Sequence, residues 1–353
     1  MREIVIVIRD LYLQPQQAEM DSRGAAGPGA AMAARQIAVP GLEHLTRFGE
    51  KHPMPQGWRA WTAKWLGLPQ YADQAPAGIA AAALENTPQA RAVWLATPLY
   101  LVTGLSSLHF DRRSLLSLPG AELEALAASF RDTFRGSGFD LHPLGGGELL
   151  LSGSETAQPV TTTEPARMPL TTVAEALPGG AGAGALRRLG AEIEMWLHGH
   201  AVNNARQRRG ELPVGTLWVW GGGTQPLTPP AGRQVPAEAA FGSDAYVRGL
   251  WRLAGGEARP MPVDWAAVIG EPRAQRVLAV VEVAELLHAN GSWRLAEAIA
   301  EMDRRLISPS IAALRRGELE RLVLLANDRS LALRALDRWR LWRGKRPGLE
   351  GLA

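Results

Sequence analysis

The stretch that decides the fold reads HGHAVNNARQRRGELPVGTLWVWGGG, from His198 to Gly223. Before it, apolar residues recur at helical spacing, which predicts a helix over residues 183–199 that ends at a glycine. A polar loop or short helix follows. The apolar, β-branched and aromatic run at 216–220 then predicts a buried strand, with three glycines at its carboxyl end.

These residues predict a ligand cleft, with a structural alternative. Ligands of open α/β sheets bind beyond the carboxyl ends of the strands, where glycines let backbone N–H groups approach an anion. The residues that we expect to bind a phosphate-bearing small molecule in this cleft are Asn203, Arg206, Arg209, Gly221, Gly222 and Gly223. In the alternative, Arg206 clamps backbone carbonyls of a tightly folded connection and the glycines form an ordinary turn.

The same stretch resembles a known family. His-Ala-Val-Asn, then Arg206, Gly210 and Pro213, then a strand running into three glycines, is similar to a segment of archaeal-type cofactor-independent phosphoglycerate mutases. The segments AEIEMWLHGHAVN and GTLWVWGGG resemble more closely a proteobacterial phosphoglycerate-mutase-like family, the RpfE type of regulatory protein. The specific part of the resemblance is residues 190–223. It implies the α/β fold of the alkaline-phosphatase superfamily and a phosphoryl-transfer site with two metal ions.

The fold class follows from apolar runs and from the helical patterns between them. We expect an α/β protein whose mostly parallel sheet has helices on both faces. Its strands are predicted at 4–9, 216–220, 277–283 and 321–326. Strand, helix and hairpin patterns predict a smaller α+β lobe at 91–152. The core domain then comprises residues 1–90 and 185–353, and residues 153–184 form a linker rich in threonine, proline and glycine.

The resemblance places a metal-binding aspartate directly after the first strand, where Asp10 stands. A carboxylate that caps the strand end or contacts Arg9 is the alternative. The family has Asp and His four residues apart after a later strand, whereas Glu285 and His288 are three apart.

A further position departs from the family after the strand at 321–326. There the family has an Asp-His pair, and this chain has Asp328-Arg329, whose guanidinium would oppose a dication. We therefore expect no metal cofactor. A reduced site for manganese or zinc, formed by Asp10, Glu285, His288 and Asp328, is the alternative.

Two aromatic patterns allow contacts with nucleic acid. Arginines and tryptophans interleave near the carboxyl terminus, and such a segment can bind phosphates and stack on bases. The candidates are Arg338, Trp339, Arg340, Trp342 and Arg343. An amphipathic closing element with buried tryptophans is the alternative. Trp58, Trp61 and Trp65 share one helix face, which is typical of core packing, with base stacking as the alternative.

Composition limits the remaining choices. The 353 residues include 46% hydrophobic and 21% charged residues, as in globular proteins. No apolar run reaches transmembrane length and no signal peptide is recognisable, so we expect a cytoplasmic protein with no membrane partner. The absence of cysteine excludes disulfides. Three functions stand: a catalytically degenerate mutase-like protein with a regulatory or binding role, a metal-dependent phosphomutase or phosphatase, and a nucleic-acid-associated protein.

Overall fold

The computed structural model describes residues 2–13, 38–103, 108–109, 114–153, 160–170, 173–228, 237–272, 274–289, 295–339 and 352. The chain forms two compact units. The first unit comprises Met1–Leu66, Ala237–Gly242 and Arg259–Ala353, and the second comprises Gly67–Pro236 and Ser243–Ala258. These bounds differ from the expected domains, since residues 67–90, 153–184 and 185–236 all lie in the second unit.

The strands are, in chain order, β1 (Glu3–Ile8), β2 (Glu50–Pro53), β3 (Ala92–Leu99), β4 (Val102–Thr103), β5 (Leu108–His109), β6 (Phe139–Gly145), β7 (Glu148–Gly153), β8 (Thr216–Thr224), β9 (Ala239–Phe241), β10 (Arg276–Val281), β11 (Arg321–Ala326) and β12 (Arg329–Arg334). The α-helices are α1 (Pro40–Phe48), α2 (Gly57–Trp65), α3 (Pro76–Ala80), α4 (Gly120–Thr133), α5 (Val173–Ala176), α6 (Ala183–His198), α7 (Ala201–Arg208), α8 (Ala245–Leu253), α9 (Val283–Ala289), α10 (Leu295–Met302) and α11 (Ser308–Arg316). Short 3-10 turns lie at Pro69–Tyr71, Ala81–Ala83, Pro165–Leu170, Trp265–Val268 and Ala335–Trp339, and a π-helical turn at Asp303–Ile307 joins α10 to α11.

The first unit is built on a six-stranded sheet in the order β2-β12-β11-β1-β10-β9. β1 pairs in parallel with both β10 and β11, and β9 extends the parallel part beyond β10. Ile4, Ile6 and Ile8 enter a core with the flanking helices, while Val5 and Val7 on the other face are also buried. A strand covered on both faces needs apolar residues at every position, which is why these runs were recognisable. The predicted mostly parallel α/β sheet is confirmed.

The second unit contains a four-stranded sheet in the order β6-β7-β3-β8, with every pairing antiparallel. Helices α4 and α6 pack on one face of it through residues such as Leu126, Phe130 and Ile193. The prediction that the strand at 216–220 belongs to the parallel sheet is therefore wrong. An apolar run indicates only that both faces of a strand are buried. Residues 216–220 of β8 are buried, but in the antiparallel sheet of the second unit.

Candidate functional site

Asp10 follows β1 and is buried at 3% exposure. Its two carboxylate oxygens accept the backbone N–H groups of Val283 and Ala284, each at 2.7 Å. These N–H groups begin α9, where the first turn of a helix has no internal acceptors and carries partial positive charge. Asp10 thus lies at the carboxyl edge of the parallel sheet, as the resemblance implies, and both of its oxygens cap a helix.

The polar residues around Asp10 also join one strand end to the next. Arg9 and Glu282, which follow β1 and β10, form an ion pair of 2.8 Å. The Asn327 side chain accepts the Leu13 N–H at 2.9 Å and donates to the Leu352 carbonyl at 2.8 Å. At this carboxyl edge, Arg9, Glu282 and Asn327 therefore hold neighbouring segments of the chain together.

The other three candidate metal ligands, Glu285, His288 and Asp328, are not grouped with Asp10 as a set of metal ligands. Glu285 and His288 are exposed on α9. Asp328 is the second residue of the two-residue turn between β11 and β12, where it and Asn327 have φ values of 53° and 50°. Its backbone carbonyl accepts the Met54 N–H at 2.7 Å. Among the residues that the structure describes, no three His, Asp or Glu side chains are grouped as metal ligands.

The second region is the His198–Gly223 stretch, which begins at the predicted end of a helix. Helix α6 ends at His198, as expected, and His200 is the N-cap of α7, with its Nδ1 atom accepting the Val202 N–H at 3.1 Å. The ring of Trp196 lies against that of His200, with centroids 4.9 Å apart. Burial lowers the pKa of His200 below its ordinary value, which favours the neutral imidazole that this cap requires.

Asn203 holds the connection between α7 and β8. Its Nδ2 atom donates to the carbonyls of Leu197 at 2.7 Å and Val214 at 2.8 Å. Its Oδ1 atom accepts the Val214 N–H at 2.7 Å. Asn203 is 4% exposed and satisfies the N–H and the carbonyl of Val214, which would otherwise be costly to bury, and it adds a donor to the Leu197 carbonyl.

Arg206 makes the contact predicted by the clamp interpretation. Its Nε atom donates to the Leu212 carbonyl at 2.7 Å, and Nη1 donates to Glu122 of α4 at 2.7 Å. Arg209, 46% exposed, pairs with the same Glu122 and with Glu211. Two guanidinium groups thus meet two carboxylates, so the cluster has no net charge to attract an anion.

The three glycines lie apart from this cluster. They belong to β8 itself, and Gly221 is five residues beyond Thr216, roughly 16 Å at about 3.3 Å per residue. A Cβ on Gly222 would come within 2.0 Å of the Val93 carbonyl oxygen, and the pairing of β8 with β3 is irregular there. The Gly221 N–H donates to Thr162 Oγ1 at 3.0 Å. The glycines therefore allow an irregular strand to approach β3, and the expected single cleft with Asn203 and Arg206 is not formed.

The tryptophan stripe on α2 belongs to the first unit. Trp58 is buried, and Trp61 and Trp65 are partly exposed and stacked at 6.4 Å. Trp65 donates its Nε1–H to Glu3 at 3.0 Å, and the Arg276 guanidinium lies 4.3 Å from its ring. These contacts fit the core interpretation.

The nucleic-acid candidates of the tail are not placed by the structure. Arg340, Trp342 and Arg343 lie outside the described residues, as do the side chains of Arg338 and Trp339. No helix in the described part of the chain is both long and apolar enough to cross a membrane.

One group of reactive side chains was missed by the sequence analysis. Asp140 and His142 on β6 lie beside Ser152 on β7, with His142 Nε2 2.8 Å from Ser152 Oγ. The residues are 10 and more positions apart, so spacing alone gives no motif. The available signal was the predicted hairpin, because alternation places Asp140 and His142 on one face of the strand.

Comparison with known proteins gives structural matches only. No protein-family model matches the chain, and neither does any curated protein. The chain is similar to the cofactor-independent phosphoglycerate mutase from Thermoplasma acidophilum, with 16% identity and a TM-score of 0.37 over 94% of this chain and 89% of that one. It is also similar to the PH0037 protein from Pyrococcus horikoshii, with 13% identity and a TM-score of 0.48 over 99% and 92% of the two chains.

Proposed function

We propose that this protein is a phosphoglycerate-mutase-like protein that does not carry out two-metal phosphoryl transfer and has a regulatory or binding role. The observation that carries the proposal is the capping of α9 by both oxygens of Asp10. The sequence resemblance at residues 190–223 supports the mutase-like part. The departures at Glu285, His288 and Arg329 from the family's ligand pattern support the loss of chemistry.

Among the described residues, the donors at the carboxyl edge do not fit a pair of divalent metals. A two-metal site needs several carboxylates or imidazoles directed at two points about 3.5–4 Å apart. Here the best-placed carboxylate, Asp10, directs its oxygens at backbone N–H groups 2.7 Å away. Glu282 pairs with Arg9, and Asp328 belongs to a tight turn. Moving Asp10 onto a metal would leave the first turn of α9 without these two acceptors.

Metal titration and turnover together test this proposal. Purified protein, stripped with chelator and then supplied with Mn²⁺ or Zn²⁺, is expected to bind less than one equivalent by mass spectrometry of metal content. Its melting temperature should stay unchanged, because no folded-state site gains from the metal. Conversion of 3-phosphoglycerate should equal that of a blank.

Two results would contradict the proposal or redirect it. Stoichiometric metal together with turnover, both lost in Asp10→Asn but kept in Asp244→Asn, would establish the metal-dependent phosphomutase or phosphatase instead. Asp244 is the matched control because it is buried and caps α8 through the Val247 N–H. Salt-dependent binding of single-stranded DNA would favour the nucleic-acid-associated function.

A further inference from the structure

The hairpin of β6 and β7 brings a hydroxyl and an imidazole into direct contact. Asp140 is opposite Ser152 in the register, and His142 is two residues along β6 on the same face. His142 Nε2 lies 2.8 Å from Ser152 Oγ. A nucleophile within hydrogen-bond distance of a base is the arrangement that activates serine for attack on a carbonyl carbon.

The surroundings keep His142 in the form that a base requires. Burial lowers the pKa of His142 below its ordinary value, and the charge of Arg131 lowers it further, while Asp140 acts in the opposite direction. The imidazole is therefore neutral at pH 7 and can accept a proton. Asp140 Oδ2 lies 3.9 Å from His142 Nε2, the atom that faces Ser152. Asp140 Oδ1 lies 3.3 Å from Arg131 Nε. Asp140 thus acts on His142 through charge and does not orient its Nδ1 atom.

We propose that Ser152 and His142 form a nucleophile–base pair that accepts an acyl group from small activated esters. Ser152 Oγ attacks the carbonyl carbon, and His142 Nε2 takes the hydroxyl proton and passes it to the departing alcohol. Water, deprotonated by His142, then attacks the acyl-serine ester, releases the carboxylic acid and restores the Ser152 hydroxyl. No metal and no redox partner enters this sequence.

Exposure and hydrogen bonding limit the reaction. Ser152 is 7% exposed, whereas the side chains of His142 and Asp140 are 22% and 37% exposed, so an ester approaches from the side of β6. The low exposure of Ser152 favours a small acyl group, such as acetyl. Ser152 Oγ also lies 3.4 Å from the Asp140 carbonyl oxygen, which competes for its single proton. Attack therefore needs the tautomer with hydrogen on Nδ1, in which Nε2 is the acceptor.

Acetylation by p-nitrophenyl acetate tests the proposal. We expect a burst of p-nitrophenol in the wild-type protein and one acetyl group on Ser152 by peptide mass mapping. His142→Gln should slow this acetylation about 100-fold or more at pH 7.5, the usual size of a general-base contribution. Ser137→Ala is the matched control and should leave it unchanged, since Ser137 is exposed near the same hairpin and its Oγ accepts the Phe139 N–H.

Folding is checked separately from reactivity. Ser152→Ala should keep the melting temperature near the wild-type value and abolish the burst, and Ser152→Cys should regain acetylation at the same position. Wild-type protein that is folded but not acetylated at Ser152 would overturn the proposal, as would an unchanged rate in His142→Gln. Asp140→Asn should move the midpoint of the pH–rate profile to lower pH, because the carboxylate that raises the pKa of His142 is gone. A purely structural Asp140 would leave that midpoint in place. These residues differ from those of the proposed function, so either proposal can fail alone.

Discussion

Helix α7 and the hairpin of β6 and β7 both place polar side chains at buried or partly buried positions, yet the hydrogen bonds of these side chains differ. On α7, Asn203 and Arg206 direct their polar atoms at backbone groups of Leu197, Leu212 and Val214. In the hairpin, His142 and Ser152 meet each other. A side chain that satisfies buried backbone cannot move to a ligand without leaving that backbone unpaired. A hydroxyl that is hydrogen-bonded to an imidazole can give its proton to that base when a substrate approaches.

The largest effect is expected at Arg206. Arg206→Ala removes the buried ion pair with Glu122, which keeps only Arg209, and takes the donor away from the Leu212 carbonyl, so the free energy of unfolding should fall by about 3 kcal/mol. Arg206→Lys should lower the free energy of unfolding by about 1 kcal/mol, because the lysine ammonium lacks the planar, forked donors of the guanidinium. Urea denaturation measures both. Arg208→Ala, exposed on the same helix, is the control and should change little. An equal loss in the Arg206 and Arg208 variants would contradict the clamp.

Asn203→Ala is expected to reduce the free energy of unfolding by about 2 kcal/mol, because the buried N–H and carbonyl of Val214 lose the Asn203 side chain as their partner. Asn204→Ala provides the comparison, since Asn204 is exposed and makes one contact of 3.5 Å. The loss should appear as a lower urea midpoint with an unchanged slope. If the two variants have the same urea midpoint, Asn203 does not stabilise the connection between α7 and β8, and the result would favour a role for Asn203 in binding a small molecule.

Asp10→Ala extends the comparison to the first unit. Loss of a helix cap should reduce the free energy of unfolding by about 1–2 kcal/mol. Asp244→Ala, which removes the cap of α8, should cause a loss of similar size by thermal denaturation. An Asp10→Ala protein as stable as the wild type, with lowered affinity for Mn²⁺, would show that Asp10 serves a metal.

The smallest effect is a pH dependence from His200. Because burial lowers its pKa in the folded state, the unfolded chain binds a proton below about pH 6.5 that the folded chain resists. The contribution of His200 to stability is thus present above that pH and is lost as the pH falls. His200→Asn keeps an N-cap acceptor without titrating, so its unfolding free energy should decline less between pH 7 and pH 5. Identical declines in the two proteins would count against the cap.

The sequence predicted the positions of helices and strands better than it predicted which strands pair and which side chains meet. The helix ending at His198, the strands at 4–9, 277–283 and 321–326, and the β6–β7 hairpin all follow from periodicity or from unbroken apolar runs. The same reasoning placed 216–220 in the wrong sheet, because an apolar run gives burial on both faces and not the identity of the neighbouring strand. The Ser152–His142 contact was missed for a related reason, since strand register, not spacing along the chain, brings the two together.

What the sequence by itself determined is the α/β class, most element positions and the residue types available for chemistry. These are local properties, set by the period of apolar residues and by glycine and proline. Only the tertiary structure decided what Asp10, Asn203 and Arg206 do. A carboxylate, an amide or a guanidinium can bind a ligand or a backbone group equally well. The choice depends on which unpaired N–H or carbonyl the fold places within about 3 Å. For Asp10 and for the Arg206–Glu122 pair, elements far away in the chain supply the partner, and for Asn203 the path of the chain from α6 to β8 does.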